Sequence, residues 1–249
     1  MASTQTAIEH EISAKGEAKV VAWDLPIRLF HWTLVALLIF AWVSYRYAED
    51  MGDYLLKMHR WNGLAILTLL FWRVMWGFAG SSTARFANFV KGPITAIGYG
   101  RDLVTGGTRR FLGHNPLGAA MVMVMLAVVL AQAMLGLFTV EHNGLTAGPL
   151  YRLVEESTRK WASHLHSLNF WNVMLPLIGL HIAANIFYAL VKREPLIPAM
   201  FSGRKPKEAY ADAPRAEIPA RPMLRAAVLL ALAALIVLGT IRLLAGRLK

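Results

Sequence analysis

Four of the eight histidines in this 249-residue chain, His31, His59, His166 and His181, stand at or just inside the ends of apolar stretches long enough to cross a membrane. An imidazole is costly to bury in hydrocarbon unless something binds it, and a neutral imidazole is the commonest protein ligand for a metal. Their placement points to metal chemistry at membrane depth.

Composition says what must position them. The chain is 56% hydrophobic and 16% charged, with a mean hydropathy of +0.45, whereas a soluble domain carries roughly 25% charged residues. This is the composition of an integral membrane protein. A span needs roughly 20 mostly apolar residues, and five stretches qualify: 27–45, 58–78, 117–138, 170–191 and 224–245. A bilayer offers no partner to unpaired backbone groups, so each is expected to be a helix. The expected fold is all-α: a four-helix membrane bundle, with a fifth transmembrane helix at the C-terminus.

The loops orient the bundle. Lys15, Lys19 and Arg28 precede or open the first span; Arg85, Lys91, Arg101, Arg109 and Arg110 lie between the second and third; Lys192, Arg193, Arg204, Lys205, Lys207, Arg215 and Arg221 lie between the fourth and fifth. These basic segments are expected on the cytoplasmic side, which sets the N-terminus of a multi-pass membrane protein there. The excess of Lys and Arg, a net charge of +11, reports orientation and not nucleic-acid binding. Residues 1–22 are polar with no apolar core of a signal peptide and are expected to be a disordered arm. Residues 23–193 form the four-helix domain, 194–222 a proline-rich surface linker, and 223–249 the fifth helix and tail.

On this topology the histidines fall into pairs. His31 near the start of the first span shares a depth with His181 near the end of the fourth; His59 at the start of the second shares the other depth with His166, expected just ahead of the fourth. His166 and His181 are 15 residues apart, which for an α-helix is roughly 22 Å of rise and about 60° of offset. Both can face the bundle interior at opposite membrane faces. Two stacked metal centres would suit that geometry, and imidazoles on facing helices are a standard way to hold haem iron. Zero cysteine excludes disulfides, iron–sulfur clusters, thiolate-bound haem and covalent c-type haem. Gly63 and Gly179 would let a flat ring approach the backbone.

Other residues compete or contribute. His164 lies about 100° from His181 around an ideal helix, so His166 is the better ligand, unless the first turn is irregular. His142 and His10 fall in polar segments and read as solvated. His114, in Gly113-His114-Asn115-Pro116 at the mouth of the third span, is either part of a helix-start motif capped by Asn115 or a neighbour, or a contact to a cofactor carboxylate or a quinone. Arg73 near the end of the second span either snorkels to the interface or neutralises an acidic group. Trp23, Trp42, Tyr45, Trp76 and Tyr188 are expected in the interfacial aromatic belt.

The runs Trp23-Asp24-Leu25-Pro26-Ile27-Arg28-Leu29-Phe30-His31-Trp32, Met58-His59-Arg60-Trp61-Asn62-Gly63, Gly113-His114-Asn115-Pro116-Leu117-Gly118 and Ile178-Gly179-Leu180-His181 resemble the bacterial cytochrome b561 family, which includes the cytochrome b subunits of nickel–iron hydrogenases. The resemblance covers roughly residues 20–205. It implies two non-covalent b haems with bis-histidine ligation, with His31, His59, His166 and His181 at the ligand positions. Its spacing implies a His166 to His181 separation one residue shorter, and it has no need of the fifth helix.

The resemblance also implies function: electron transfer across the membrane between the quinone pool and a redox partner such as a periplasmic cytochrome c. Quinone is the candidate second ligand, and a second copy of the chain is a candidate partner. A subunit role in a hydrogenase-type oxidoreductase complex, or direct chemistry on quinone or superoxide, are alternatives within the class. A transporter using histidines as a proton relay is the alternative outside it, disfavoured because the span interiors hold no Asp or Glu.

Overall fold

A computed structural model describes residues 19–51, 53–140, 147–206, 210–213 and 216–246. In chain order its elements are β1 (Lys19–Val21), α1 (Leu25–Arg46), α2 (Ala48–Met51), α3 (Asp53–Ala79), α4 (Phe86–Phe89), α5 (Pro93–Thr105), α6 (Pro116–Gly136), a 3-10 turn (Tyr151–Leu153), α7 (Glu156–Leu168), a π-helical stretch (Asn169–Met174), α8 (Leu175–Leu190), α9 (Leu196–Ser202), β2 (Arg204–Pro206) and α10 (Pro222–Gly246). Among the described residues, five helices are long and apolar enough to span a membrane: Leu25–Arg46, Tyr54–Ala79, Pro116–Gly136, Glu156–Leu190 and Pro222–Gly246. The fold is an all-α membrane bundle of four helices with a fifth C-terminal span.

Local chemistry sets the starts of α1 and α6. Asp24 accepts the Ile27 N–H at 2.7 Å, and Asn115 accepts the Gly118 N–H at 2.8 Å, each just ahead of a proline in the first turn. Such caps satisfy amides that helical geometry leaves unpaired. The central helix is α3, which contacts α1, α6 and α10. Its buried residues, including Leu56, Leu64, Leu67, Leu70, Trp72 and Trp76, point in several directions, as expected of a helix enclosed by neighbours. The fifth span is docked on it: Ala226, Ala233 and Val237 are buried, and the Trp72 indole N–H donates to the Ala226 carbonyl at 3.0 Å.

The fourth span departs most from the expectation. It begins at Glu156, well before the apolar stretch at residue 170, because 156–168 is an amphipathic polar helix that hydropathy alone passes over. His166 therefore lies inside a helix, not ahead of one. The span then loosens into the π-helical stretch, where the Leu175 N–H reaches back five residues to the Phe170 carbonyl. Pro176 follows immediately and has no N–H to donate. A π-bulge accommodates one extra residue, so the 15 residues from His166 to His181 turn like about 14, an offset of about 40° in the opposite sense. The longer spacing is taken up in the helix.

Four crossings return the chain to its starting face, where β1 pairs antiparallel with β2, Lys19 opposite Pro206 and Val21 opposite Arg204. We call this the ribbon face and its opposite the far face. Most of the expected N-terminal arm lies outside the described residues, but its end, Lys19–Val21, is a strand. The described part of the 194–222 linker likewise contains α9 and β2 and is fastened down. The Lys205 ammonium is buried on the Phe111 carbonyl at 2.9 Å, 3.9 Å from Glu194, and the Asp212 carboxylate accepts the Leu112 and Gly113 N–H groups. Trp23 and Trp76 are core residues at this end, not members of the belt, while Trp42 and Tyr45 are exposed.

Candidate functional site

At the far end of the four-helix core, His59 on α3 and His166 on α7 face each other with ring centroids 6.4 Å apart and planes 80° from parallel. Two imidazoles on opposite sides of one metal have centres about 6.2 Å apart, from metal–nitrogen bonds of about 2 Å and about 1.1 Å from each nitrogen to its ring centre. The separation fits. Each ring is also set by its other nitrogen: His59 Nδ1 donates to the Ala41 carbonyl at 2.9 Å, and His166 Nδ1 donates to the Gln132 carbonyl at 3.0 Å. With the proton held on Nδ1, each Nε2 keeps its lone pair for a metal.

The space around them suits a flat apolar group. The cavity is lined by both histidines with Leu38, Leu64, Val129 and Phe170 among its apolar walls. Gly63 lines it, and a Cβ there would project into open space. Gly136 on α6 has the tighter role: a Cβ there would stand 3.2 Å from His166 Cε1. His164 is exposed and does not line this cavity. His142 and His10 lie outside the described residues.

Polar side chains that sequence reading passed over buttress this pair. Ser44 on α1 is fully buried, donates to the Ala41 carbonyl at 3.1 Å and has its Oγ 3.3 Å from His59 Nδ1. Asn169, the first π-helical residue, donates to the Gln132 side-chain oxygen at 2.8 Å and to the Val128 carbonyl at 3.2 Å, tying the fourth span to α6. The available signal was polarity: Ser44, Gln132 and Asn169 are polar residues in membrane-depth helices, and such residues need partners.

The ribbon end is built differently. His31 on α1 and His181 on α8 are within electrostatic reach of one another, and His114 is within reach of His181. His31 stands edge-on to Trp32, itself stacked on Phe201 of α9. His181 Nε2 is 3.3 Å from the Asn185 amide nitrogen. Nearby, Arg73 is 3% exposed, so it does not snorkel. It donates to the Ala84 carbonyl at 3.2 Å and lies over the Phe86 ring at 4.9 Å. His114 packs against Trp23 and Phe89 at 4.7 and 4.8 Å. Burial, helped by the positive charges of Arg73 and Lys205, lowers its pKa to about 3, so its ring is neutral. A Cβ added at Gly179 would meet nothing within 4 Å.

This end holds buried polar atoms without hydrogen-bond partners: Arg28 Nε, His31 Nδ1, Arg73 Nη1 and His114 Nδ1. Buried polar groups are normally satisfied. Unpartnered groups of this kind, two of them guanidinium, suit a ligand that brings carboxylates into the bundle, as haem propionates would. One carboxylate that sequence reading left without a role lies here: Asp24, which caps α1, accepts the Trp76 indole N–H at 3.2 Å and acts electrostatically on Arg73. The Asp-x-Pro pattern carried that signal.

Among the described residues no three His, Asp or Glu side chains converge on one point. Paired imidazoles fit a metal whose remaining positions are filled by a macrocycle. No curated protein matches the chain closely. The family model for prokaryotic cytochrome b561 matches residues 22–203, a range that takes in all four core spans and every histidine of both clusters but leaves α10 outside. The chain thus belongs to the prokaryotic cytochrome b561 family, membrane proteins of electron transfer that generally bind haem b.

Proposed function

We propose that this protein is a di-haem b-type cytochrome that carries electrons across a bacterial inner membrane between the quinone pool and a redox partner such as a periplasmic cytochrome c. The observation that carries the reading is the His59–His166 pair, 6.4 Å apart with both Nδ1 atoms committed to backbone carbonyls. When bound, haem b supplies a one-electron iron couple at each end.

The chain's own residues do the rest. His59 and His166 hold the far site, and His31 and His181 the ribbon site. Arg73 and His114 contact the acidic edge of the ribbon-end cofactor or a quinone beside it, Arg73 as a fixed charge and His114 as a neutral hydrogen-bonding ring. The apolar walls of α1, α3, α6 and the fourth span exclude water, which limits the rearrangement that accompanies each change of charge. The basic residues on the ribbon face support a cytoplasmic N-terminus, which turns the far site toward the periplasm.

A reduced-minus-oxidised spectrum with a pyridine haemochrome assay on the purified chain tests the reading. Two b haems per chain are expected; no b-type signal overturns it. Co-purification with a large metal-bearing subunit would move the protein to the hydrogenase-type role, and turnover by the purified chain alone on quinone or superoxide would make it an enzyme in its own right.

A further inference from the structure

The Ala41 carbonyl is the most heavily used acceptor at the far site. It lies within the hydrogen-bonded ladder of α1, takes the His59 Nδ1–H at 2.9 Å, and takes the Ser44 hydroxyl at 3.1 Å. The hydroxyl that shares it is fully buried, and its Oγ is 3.3 Å from the same His59 nitrogen, a longer and weaker acceptor contact for the Nδ1–H than the 2.9 Å bond to the carbonyl. Among the described residues the opposite ring has no such competitor: the Gln132 carbonyl takes the His166 Nδ1–H at 3.0 Å, and the polar neighbour there, Asn169, spends its amide on the Gln132 side chain and on Val128.

A serine that bonds back to the carbonyl three residues earlier is common in helices, where it satisfies its own hydroxyl. Here that carbonyl is also the anchor of a candidate metal ligand. An acceptor already engaged by a second donor pulls less on the imidazole N–H. The stronger that pull, the more anionic the ring, the better it stabilises the oxidised metal and the lower the reduction potential.

We infer that Ser44 sets the reduction potential of the far site, holding it up by competing with His59 for the Ala41 carbonyl. The inference rests on the proposed bis-histidine haem at His59 and His166. It would make the two candidate ligand rings unequal: His59 on α3 would be the weaker electron donor to a bound metal and His166 on α7 the stronger. Ser44 acts through His59 and is a positioning residue, not a ligand.

The test is a redox titration of the full-length holoprotein and its Ser44→Ala variant, with haem content measured in parallel. The far-site potential is assigned as the component that disappears in His59→Ala. In Ser44→Ala the haem content stays at the parent value while the far-site potential falls, by up to about 59 mV for a tenfold change in a one-electron equilibrium, and the other potential holds still. Ser44→Thr keeps a hydroxyl and returns the potential to the parent value. An unchanged or raised far-site potential at full haem content overturns the inference while leaving the haem reading standing. A purified parent chain with no b-type haem overturns the haem reading itself.

Discussion

The two ends of the four-helix core hold their histidines by different means. At the far end both rings are fixed by backbone carbonyls, which belong to helices and cannot swing away. At the ribbon end His31 Nδ1 has no hydrogen-bond partner, and His181 leans on the Asn185 side chain. One site is organised by the protein before any ligand arrives; the other leaves unpaired donors on His31, His114, Arg73 and Arg28. The contrast separates two ways of binding a cofactor. On the proposed di-haem reading, the far end would hold its cofactor through the metal axis and the ribbon end through the polar periphery.

That contrast can be broken most directly at the axis. His59→Ala and His166→Ala are each expected to remove one of two haems and halve the haem-to-protein ratio, whereas His164→Ala is expected to leave it unchanged; an unchanged ratio in both of the first two would sink the far-site assignment. A smaller effect is expected from the periphery. Arg73→Leu takes from the ribbon end a buried cation that donates to the Ala84 carbonyl, and a hydrogen bond from a charged group contributes about 1.5–3 kcal/mol. It should loosen the ribbon-end haem and leave the far-end spectrum intact, resolved by comparing the two components in a redox titration.

Gly136→Ala sharpens the comparison from the packing side. The new methyl would press on His166 Cε1 at 3.2 Å, and overpacking of this kind costs about 1–3 kcal/mol. Faster haem loss to a scavenging apoprotein is expected from the far end alone. The smallest effect is an acid dependence at the ribbon end. His114 has a pKa of about 3 in the fold against an ordinary value of 6.5, so between those values the unfolded chain binds more protons. Its contribution to stability is complete above about pH 6.5 and is lost as the pH falls toward 3. Thermal unfolding of His114→Phe should show a shallower loss of stability over that window than the parent.

Much of this was legible from residue types. Apolar length located the apolar part of every span, because a bilayer enforces helices and their minimum length, and the proline-led start at Asn115 follows from capping chemistry. The encounter of His59 with His166 followed from their shared depth. What hydropathy could not find was the polar first half of the fourth span, since 156–168 makes its helix from amphipathic periodicity and not from apolar length. The π-helical stretch was invisible because nothing in Asn169–Met174 breaks a helical pattern; only the misfit of the 15-residue spacing and the proline at 176 hinted at it. Ser44 and the Asn169–Gln132 pair escaped notice because their partners are main-chain carbonyls and a neighbouring amide, set by how helices pack and not by any motif. Arg73 was legible as a polar intruder, but its burial beneath the 81–89 segment needed the fold.

The pairing of β1 with β2 has a consequence for how the protein is made. Lys19 meets Pro206 only after all four core spans have left the ribosome, so the strand that is synthesised first must wait for the one that closes the core. Contacts between such distant segments are the slow ones to form. The two-stranded clasp is in effect a completion seal, in place only when every span between its strands has inserted with the right orientation, since an odd number of crossings would leave its halves on opposite sides of the membrane.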